Sequence, residues 1–375
     1  MAKTDAGAHI VVDGRELAGR PTGVGRYLMS ILAEWAHLDG PSRVTVIVPG
    51  SVPPELAALA PRIAVERVTA AKTGTWFEQT ALPRIVRRLD ADVFFAPAYT
   101  APLTLSCPFA VVIHDLSYFV HPEWFRWREG LRRRWVTKET AKRADAIITV
   151  SEQSATELHT YLGIARSRVV LAPPGPPSRS AEHDAGSSSA RSRMVLYVGS
   201  IFARRGVPGL IDAMTDVVRT VPDARLVLVG DNRSTPPVDP TALATAAGIA
   251  DRVDWRRYAP DAELEALYQQ ARVFAFLSDY EGFAMTPMEA IAHGMPAVLR
   301  DTPIAREVYG DGATLVGADR ASLVSALTTL LTDDAAHRDA LARGQARLRA
   351  FSWATTAATI MRALEQAAAP RGTRR

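Results

Sequence analysis

The chain has 375 residues, 47% of them apolar, and its 44 basic and 40 acidic side chains leave a net charge of +4. That length exceeds one ordinary domain and suits two of roughly 150–200 residues, and a single cysteine, Cys107, excludes both an internal disulfide and a thiolate metal cluster. No run of about 18 apolar residues is present to span a membrane, and the opening MAKTDAGAHIVVDG lacks the apolar segment of a secretory signal. A cytoplasmic protein is expected.

Six short apolar runs come first: HIVVD (9–13), RVTVIV (43–48), DVFFA (92–96), FAVVI (109–113), DAIITV (145–150) and RVVLA (168–172). Their hydrophobicity is continuous rather than alternating, which marks strands covered on both faces and hence parallel. Helical patterns around 23–38, 76–89, 123–143 and 152–162 separate them, the alternation of a doubly wound sheet. A Pro-, Ser- and Gly-rich stretch over 173–193 then reads as a linker. The pattern resumes with runs at 194–199, 225–230, 252–255, 272–277, 296–299 and 313–316, divided by helices around 207–220, 261–269, 286–293, 319–332 and 335–350. A last amphipathic helix covers 351–369. The expected organisation is a Rossmann-like domain over 1–174, a linker over 175–193 and a second Rossmann-like domain over 194–351.

Several stretches carry chemistry. EGFAMTPME (281–289) lies between a buried strand and a short helix, with a carboxylate at each end, Glu281 and Glu289. A helix start offers unpaired N–H groups and a partial positive charge, a natural seat for a diphosphate. Small residues such as Gly282 let the backbone come close. VGSIFARRG (198–206) places Arg204 and Arg205 in a strand-to-helix loop, and guanidinium suits phosphate. TGVGRYL (22–28) puts Gly23 and Gly25 between the first strand and the first helix. It is no dinucleotide fingerprint, because Leu28 stands where the third glycine belongs and no acid ends the next strand. VVIHD (111–115) sets His114 just past a buried strand, with Asp115 beside it to orient the ring or cap the next segment. LDADV (89–93) contains Asp-x-Asp, but it precedes a strand and reads as a helix end, so no metal site is assigned.

Arginine makes up 40 of the 44 basic residues, a bias of composition rather than a nucleic-acid footprint, which would need the charge gathered on one face. Only 126–143, with eight basic residues against two acids and with Trp127 and Trp135 interleaved, is so gathered. Three readings stay open there: peripheral contact with an anionic membrane surface at its inner face, contact with an anionic acceptor, or a solvated helix burying its tryptophans.

Seven segments in order, RPTGVGRYL, WFEQTALPR, APAYTAP, IHDLSYFVHPEWF, TVSEQSATEL, VGSIFARRG and YEGFAMTPMEAIAHGMPAV, resemble the retaining glycosyltransferases of family 4 over nearly the whole chain. The resemblance implies a GT-B fold, an α/β architecture of two facing Rossmann-like domains with an interdomain cleft, and a last helix (352–369) that returns to the first domain. It implies that the first domain binds an acceptor and the second a nucleotide sugar. Glu289 would meet the ribose, while Glu281 and His114 would meet the donor sugar. Arg204 and Arg205 would stand on the diphosphate; Gly23, Gly25, Gly282, Phe283, Ala284, Met285 and Thr286 would approach the donor, with Tyr258 near the base. Two positions depart from the family pattern: Arg205 replaces a usual lysine, and Ala284 a frequent second glycine.

The implied reaction transfers a hexose from a nucleoside-diphosphate sugar to a hydroxyl with retention and without cofactor or metal. GDP-mannose or a rhamnose donor is favoured, with a glycan, lipid-linked glycan or natural product as acceptor and no nucleic acid. A nucleotide-sugar epimerase would need more acids and histidines, and a pyridoxal-dependent phosphorylase is excluded because no lysine follows Lys142. The non-enzymatic alternative is a degenerate homologue that binds a sugar nucleotide without turning it over.

Overall fold

The computed structural model describes residues 7–19, 22–40, 42–69, 74–177 and 191–369. Arg20 of the first glycine motif, most of the expected linker and the terminal PRGTRR lie outside them. The chain divides into two compact units, Met1–Gly175 with Ser352–Arg375, and Pro176–Phe351.

The first unit holds a seven-stranded sheet of β1 (His9–Asp13), β2 (Arg43–Pro49), β3 (Ile63–Val68), β4 (Val93–Ala96), β5 (Phe109–Val112), β6 (Ala146–Thr149) and β7 (Val169–Leu171). All neighbours are parallel and the order is β3-β2-β1-β4-β5-β6-β7. The central β1, β4 and β5 are buried along their whole length, as their unbroken apolar sequence requires. β3 was missed by the sequence reading because it is a half-exposed edge strand whose IAVERV mixes charges with apolar residues. The last helix, Trp353–Ala368, belongs to this unit and packs on helix Gly23–His37 and on the sheet. Trp35 Nε1 donates to the Ala357 carbonyl at 2.9 Å.

The second unit holds a six-stranded parallel sheet of β8 (Met194–Val198), β9 (Arg225–Val229), β10 (Val253–Arg256), β11 (Val273–Phe276), β12 (Ala297–Arg300) and β13 (Thr314–Val316). Its order is β10-β9-β8-β11-β12-β13. Both sheets reverse direction of growth beside their first strand, between β1 and β4 and between β8 and β11. In such sheets ligands bind beyond the carboxyl ends of the strands at that switch point.

Candidate active site

In the second unit the switch point lies between the loops that follow β8 and β11, and one ion pair joins them. Arg205 Nε meets Glu281 Oε1 at 2.8 Å, with side-chain exposures of only 16% and 13%. Ser278 Oγ donates to the same Oε1 at 2.9 Å, so both bonds land on one oxygen. The Arg205 guanidinium also donates to the Ser200 carbonyl at 3.1 Å and lies over the Phe202 and Phe276 rings. Burial opposes its charge, but the Glu281 carboxylate and the Tyr197 hydroxyl outweigh that and raise its pKa. Tyr197 itself is pushed up to about 12, chiefly by burial. The sequence reading gave Arg205 to phosphate and Glu281 to sugar; the structure couples the two, 76 residues apart.

Arg204 turns otherwise. Its Nε donates to the Tyr280 carbonyl at 3.2 Å, its guanidinium covers Phe202 at 4.5 Å, and its own carbonyl accepts from Asp279 N–H at 2.9 Å. Gly206 then takes φ +64, and an added Cβ would stand 2.9 Å from the Leu277 carbonyl oxygen. The turn from the arginine pair into helix Val207–Thr220 therefore needs glycine.

The loop Glu281–Ala284 ends on a left-handed residue. Ala284 has φ +65 and serves as N-cap of helix Met285–Ala292 without a side-chain cap. Its carbonyl accepts from the buried Tyr309 hydroxyl, which anchors a conformation costing a non-glycine residue roughly 1–2 kcal/mol. Phe283 is buried against Phe351, ring centroids 5.4 Å apart. Among the described α-helices of this unit, only Val207–Thr220 and Met285–Ala292 begin with neither a side-chain cap nor an acid in the first turn. Their positive ends are left open, and they follow the two strands of the switch point.

Glu289 is the fifth residue of helix Met285–Ala292, half-buried, and its Oε2 accepts from the Tyr268 hydroxyl at 3.2 Å. Tyr268 stacks on His293 at 4.6 Å, and His293 Nε2 meets Glu265 at 3.0 Å. Tyr258 is 58% exposed beyond β10. Ser278, Tyr268 and Tyr309 escaped the sequence reading, since a lone hydroxyl shows no pattern until the fold brings it to a carboxylate or a strained carbonyl.

In the first unit His114 follows β5. Its Nε2 is 2.8 Å from the Pro97 carbonyl, to which it must donate, leaving Nδ1 as the acceptor of a neutral ring. Tyr27 and Tyr99 pack edgewise and tilted on the imidazole at 5.0 and 5.6 Å. Burial is the main reason its pKa is lowered. Asp115 caps rather than orients: Oδ1 accepts from Ser117 N–H at 2.8 Å and Oδ2 from the Tyr99 hydroxyl at 2.6 Å.

The two glycines differ. Gly23 is exposed at the first position of its helix, whereas a Cβ on Gly25 would stand 2.5 Å from the Glu16 carbonyl oxygen. The chain's own packing thus accounts for Gly25. At the carboxyl end of β1, Asp13 and Glu78 share Arg15, at 2.7 and 2.8 Å, and Thr100 donates to Glu78 at 3.0 Å. This network was not foreseen, although WFEQTALPR contains Glu78. Asp92 of the Asp-x-Asp pair accepts from the His9 amide at 2.8 Å. Among the described residues no group of three His, Cys, Asp or Glu side chains is arranged to hold a metal ion.

Residues 21–177 match the model of glycosyltransferase family 4, and residues 178–347 that of glycosyl transferases group 1. Each unit carries one of the two halves, and the chain belongs to these glycosyltransferases. An O-antigen chain mannosyltransferase B of Escherichia coli is 27% identical over 70% of this chain and 71% of its own. The MMP alpha-(1->4)-mannosyltransferase of Mycolicibacterium hassiacum is 30% identical over 65% of this chain and 60% of its own. Among solved structures, Anabaena HepE in complex with UDP and glucose covers 95% of this chain and 99% of its own, at 19% identity and a TM-score of 0.73. A sucrose-phosphate synthase of Thermosynechococcus elongatus covers 95% and 98%, at 20% and 0.74. At such identities the likeness speaks for the fold, which is of the GT-B class.

Proposed function

We propose that the protein is a retaining glycosyltransferase that moves a hexose from a nucleoside-diphosphate sugar to an acceptor hydroxyl. The observation that carries this reading is the second unit's switch point, where two uncapped helix starts and an arginine pair gather positive charge beside a carboxylate. That arrangement matches a leaving diphosphate, whose growing charge needs preorganised donors worth about 3–4 kcal/mol each in the transition state. Arg204 and the amides at the start of helix Met285–Ala292 take the diphosphate, with Arg205 adding its field. Glu289 takes the ribose hydroxyls. Glu281, held through Oε1 by Arg205 and Ser278, offers Oε2 to a hydroxyl of the donor sugar. His114, neutral, accepts a sugar hydroxyl through Nδ1.

No nucleophile is assigned to the chain, and the leaving phosphate helps remove the acceptor proton on the face it departs from. The charge is supplied by side chains and amides, so we assign no metal and no cofactor. The two mannosyltransferases named above favour a mannosyl donor, for which we take GDP-mannose, with a rhamnose donor next; the acceptor is a glycan, a lipid-linked glycan or a natural product. The reaction belongs on the cytoplasmic side, where nucleotide sugars are made.

The test is the anomeric configuration of the product, followed by proton NMR with GDP-mannose and a simple mannoside acceptor in EDTA. An α-linked product from the α-linked donor supports the reading. A β-linked product overturns retention, and donor binding without transfer or hydrolysis places the chain with the degenerate homologues.

A further inference from the structure

Helix Trp127–Arg143 is amphipathic in the reverse sense. It buries Gly130, Val136, Thr137, Thr140 and Ala141, all small or polar apart from one valine. It exposes Trp127, Leu131 and Trp135 at 68%, 51% and 60%. Four-residue spacing sets these three on one strip of the helix, so the largest apolar groups face solvent. Trp76, 63% exposed, adjoins Thr75, whose hydroxyl accepts from Arg132 on this helix at 2.8 Å. Large apolar side chains exposed together in this way mark an interaction surface.

Charge identifies the partner. Lys138 and Lys142 continue the tryptophan strip, Arg128 and Arg132 run beside it, and the Arg128 guanidinium lies 5.0 Å above the Trp127 ring. The helix's two acids are already engaged, Glu129 with Arg133 at 2.7 Å and Glu139 with Lys142 and Arg143 at 3.0 and 2.6 Å. We infer that this face docks on an anionic lipid bilayer. The indoles and Leu131 enter the boundary between headgroups and acyl chains, and Arg128, Arg132 and Lys138 lie among the lipid phosphates. Tryptophan favours that boundary because its ring is apolar and its N–H polar. A second copy would press two like-charged strips together, and nucleic acid would leave the aliphatic Leu131 between two stacking rings without a partner. No described helix is long and apolar enough to cross a membrane, so the contact is peripheral. The inference uses no residue of the donor site.

The experiment floats the full chain with vesicles of phosphatidylcholine alone and of equal phosphatidylcholine and phosphatidylglycerol, while tryptophan emission is recorded. One variant joins Trp127→Ser, Leu131→Ser and Trp135→Ser; another joins Arg128→Glu and Arg132→Glu. The wild type should float with the anionic vesicles, shift its emission to the blue, and release as salt rises. The apolar variant should partition at least about tenfold less, with the melting temperature and nucleotide affinity kept because those side chains are exposed. The charge variant should lose its preference for the anionic vesicles. Flotation undiminished in the apolar variant, wild type that ignores the anionic vesicles, or a salt-sensitive complex with single-stranded RNA in their place would overturn the inference.

Discussion

Glu281→Gln keeps the shape of its side chain but leaves the Arg205 guanidinium without a counter-charge at a site 16% exposed. Breaking a buried ion pair by removing one partner costs roughly 3–5 kcal/mol. The remaining exposure, the Ser200 carbonyl and the new amide oxygen each soften this, so about 2–3 kcal/mol is expected. Arg205→Met should cost a similar amount, since Glu281 then keeps Ser278 alone. For a unit of this size such a loss lowers the melting temperature by about 5–10 °C. The decisive assay is the double-mutant cycle by urea denaturation, followed through a probe in the second unit. The double variant should be hardly less stable than either single one, giving a coupling of about 2 kcal/mol. Additivity within about 0.5 kcal/mol would show that the pair does not hold the two loops together.

Ala284→Gly exchanges relief of left-handed strain for unfolded-chain entropy and should move stability by less than about 1 kcal/mol. Ala284→Val, β-branched at φ +65, should destabilise by at least about 2 kcal/mol in the same denaturation series. Gly25→Ala forces a methyl to 2.5 Å from the Glu16 carbonyl and should lower the melting temperature of the first unit by several degrees, read by calorimetry. The folded His114 has a pKa below its ordinary 6.5. The unfolded chain therefore binds more protons between the two values, and the contribution of His114 is full above pH 6.5 and lost as pH falls through that window. Denaturation at pH 5 and 7.5 should show His114→Asn narrowing the wild type's loss of stability on acidification.

The two sheets were legible because buried parallel strands announce themselves as unbroken apolar runs, and every run named in the sequence overlaps a strand. β3 was not, because an edge strand carrying Glu66 and Arg67 lacks that signal. Helices Pro240–Ala246 and Pro303–Val308 hid behind their leading prolines and their brevity. The motif loops around Arg204 and Glu281 were placed correctly as strand–loop–helix turns, yet their mutual ion pair was invisible. Only the strand order, which sets β8 beside β11, brings residues 76 apart into contact. The partner of His114 was missed because a backbone carbonyl has no residue code. The orientation of Trp127 and Trp135 was undecidable for a related reason: helix Trp127–Arg143 is buried through glycine, threonine and alanine, so no apolar period tells its inner face from its outer one.

The central claim is that the second unit grips a nucleoside diphosphate through charge supplied by the chain itself. Calorimetric titration of the full protein with GDP, UDP, dTDP and ADP in EDTA, beside Glu289→Ala, tests it most directly. One diphosphate should bind, the variant should lose it, and at 100 times the dissociation constant the ligand should add about 2.7 kcal/mol of stability. Binding of none, binding only when a divalent metal is restored, or equal binding by Glu289→Ala would contradict the account.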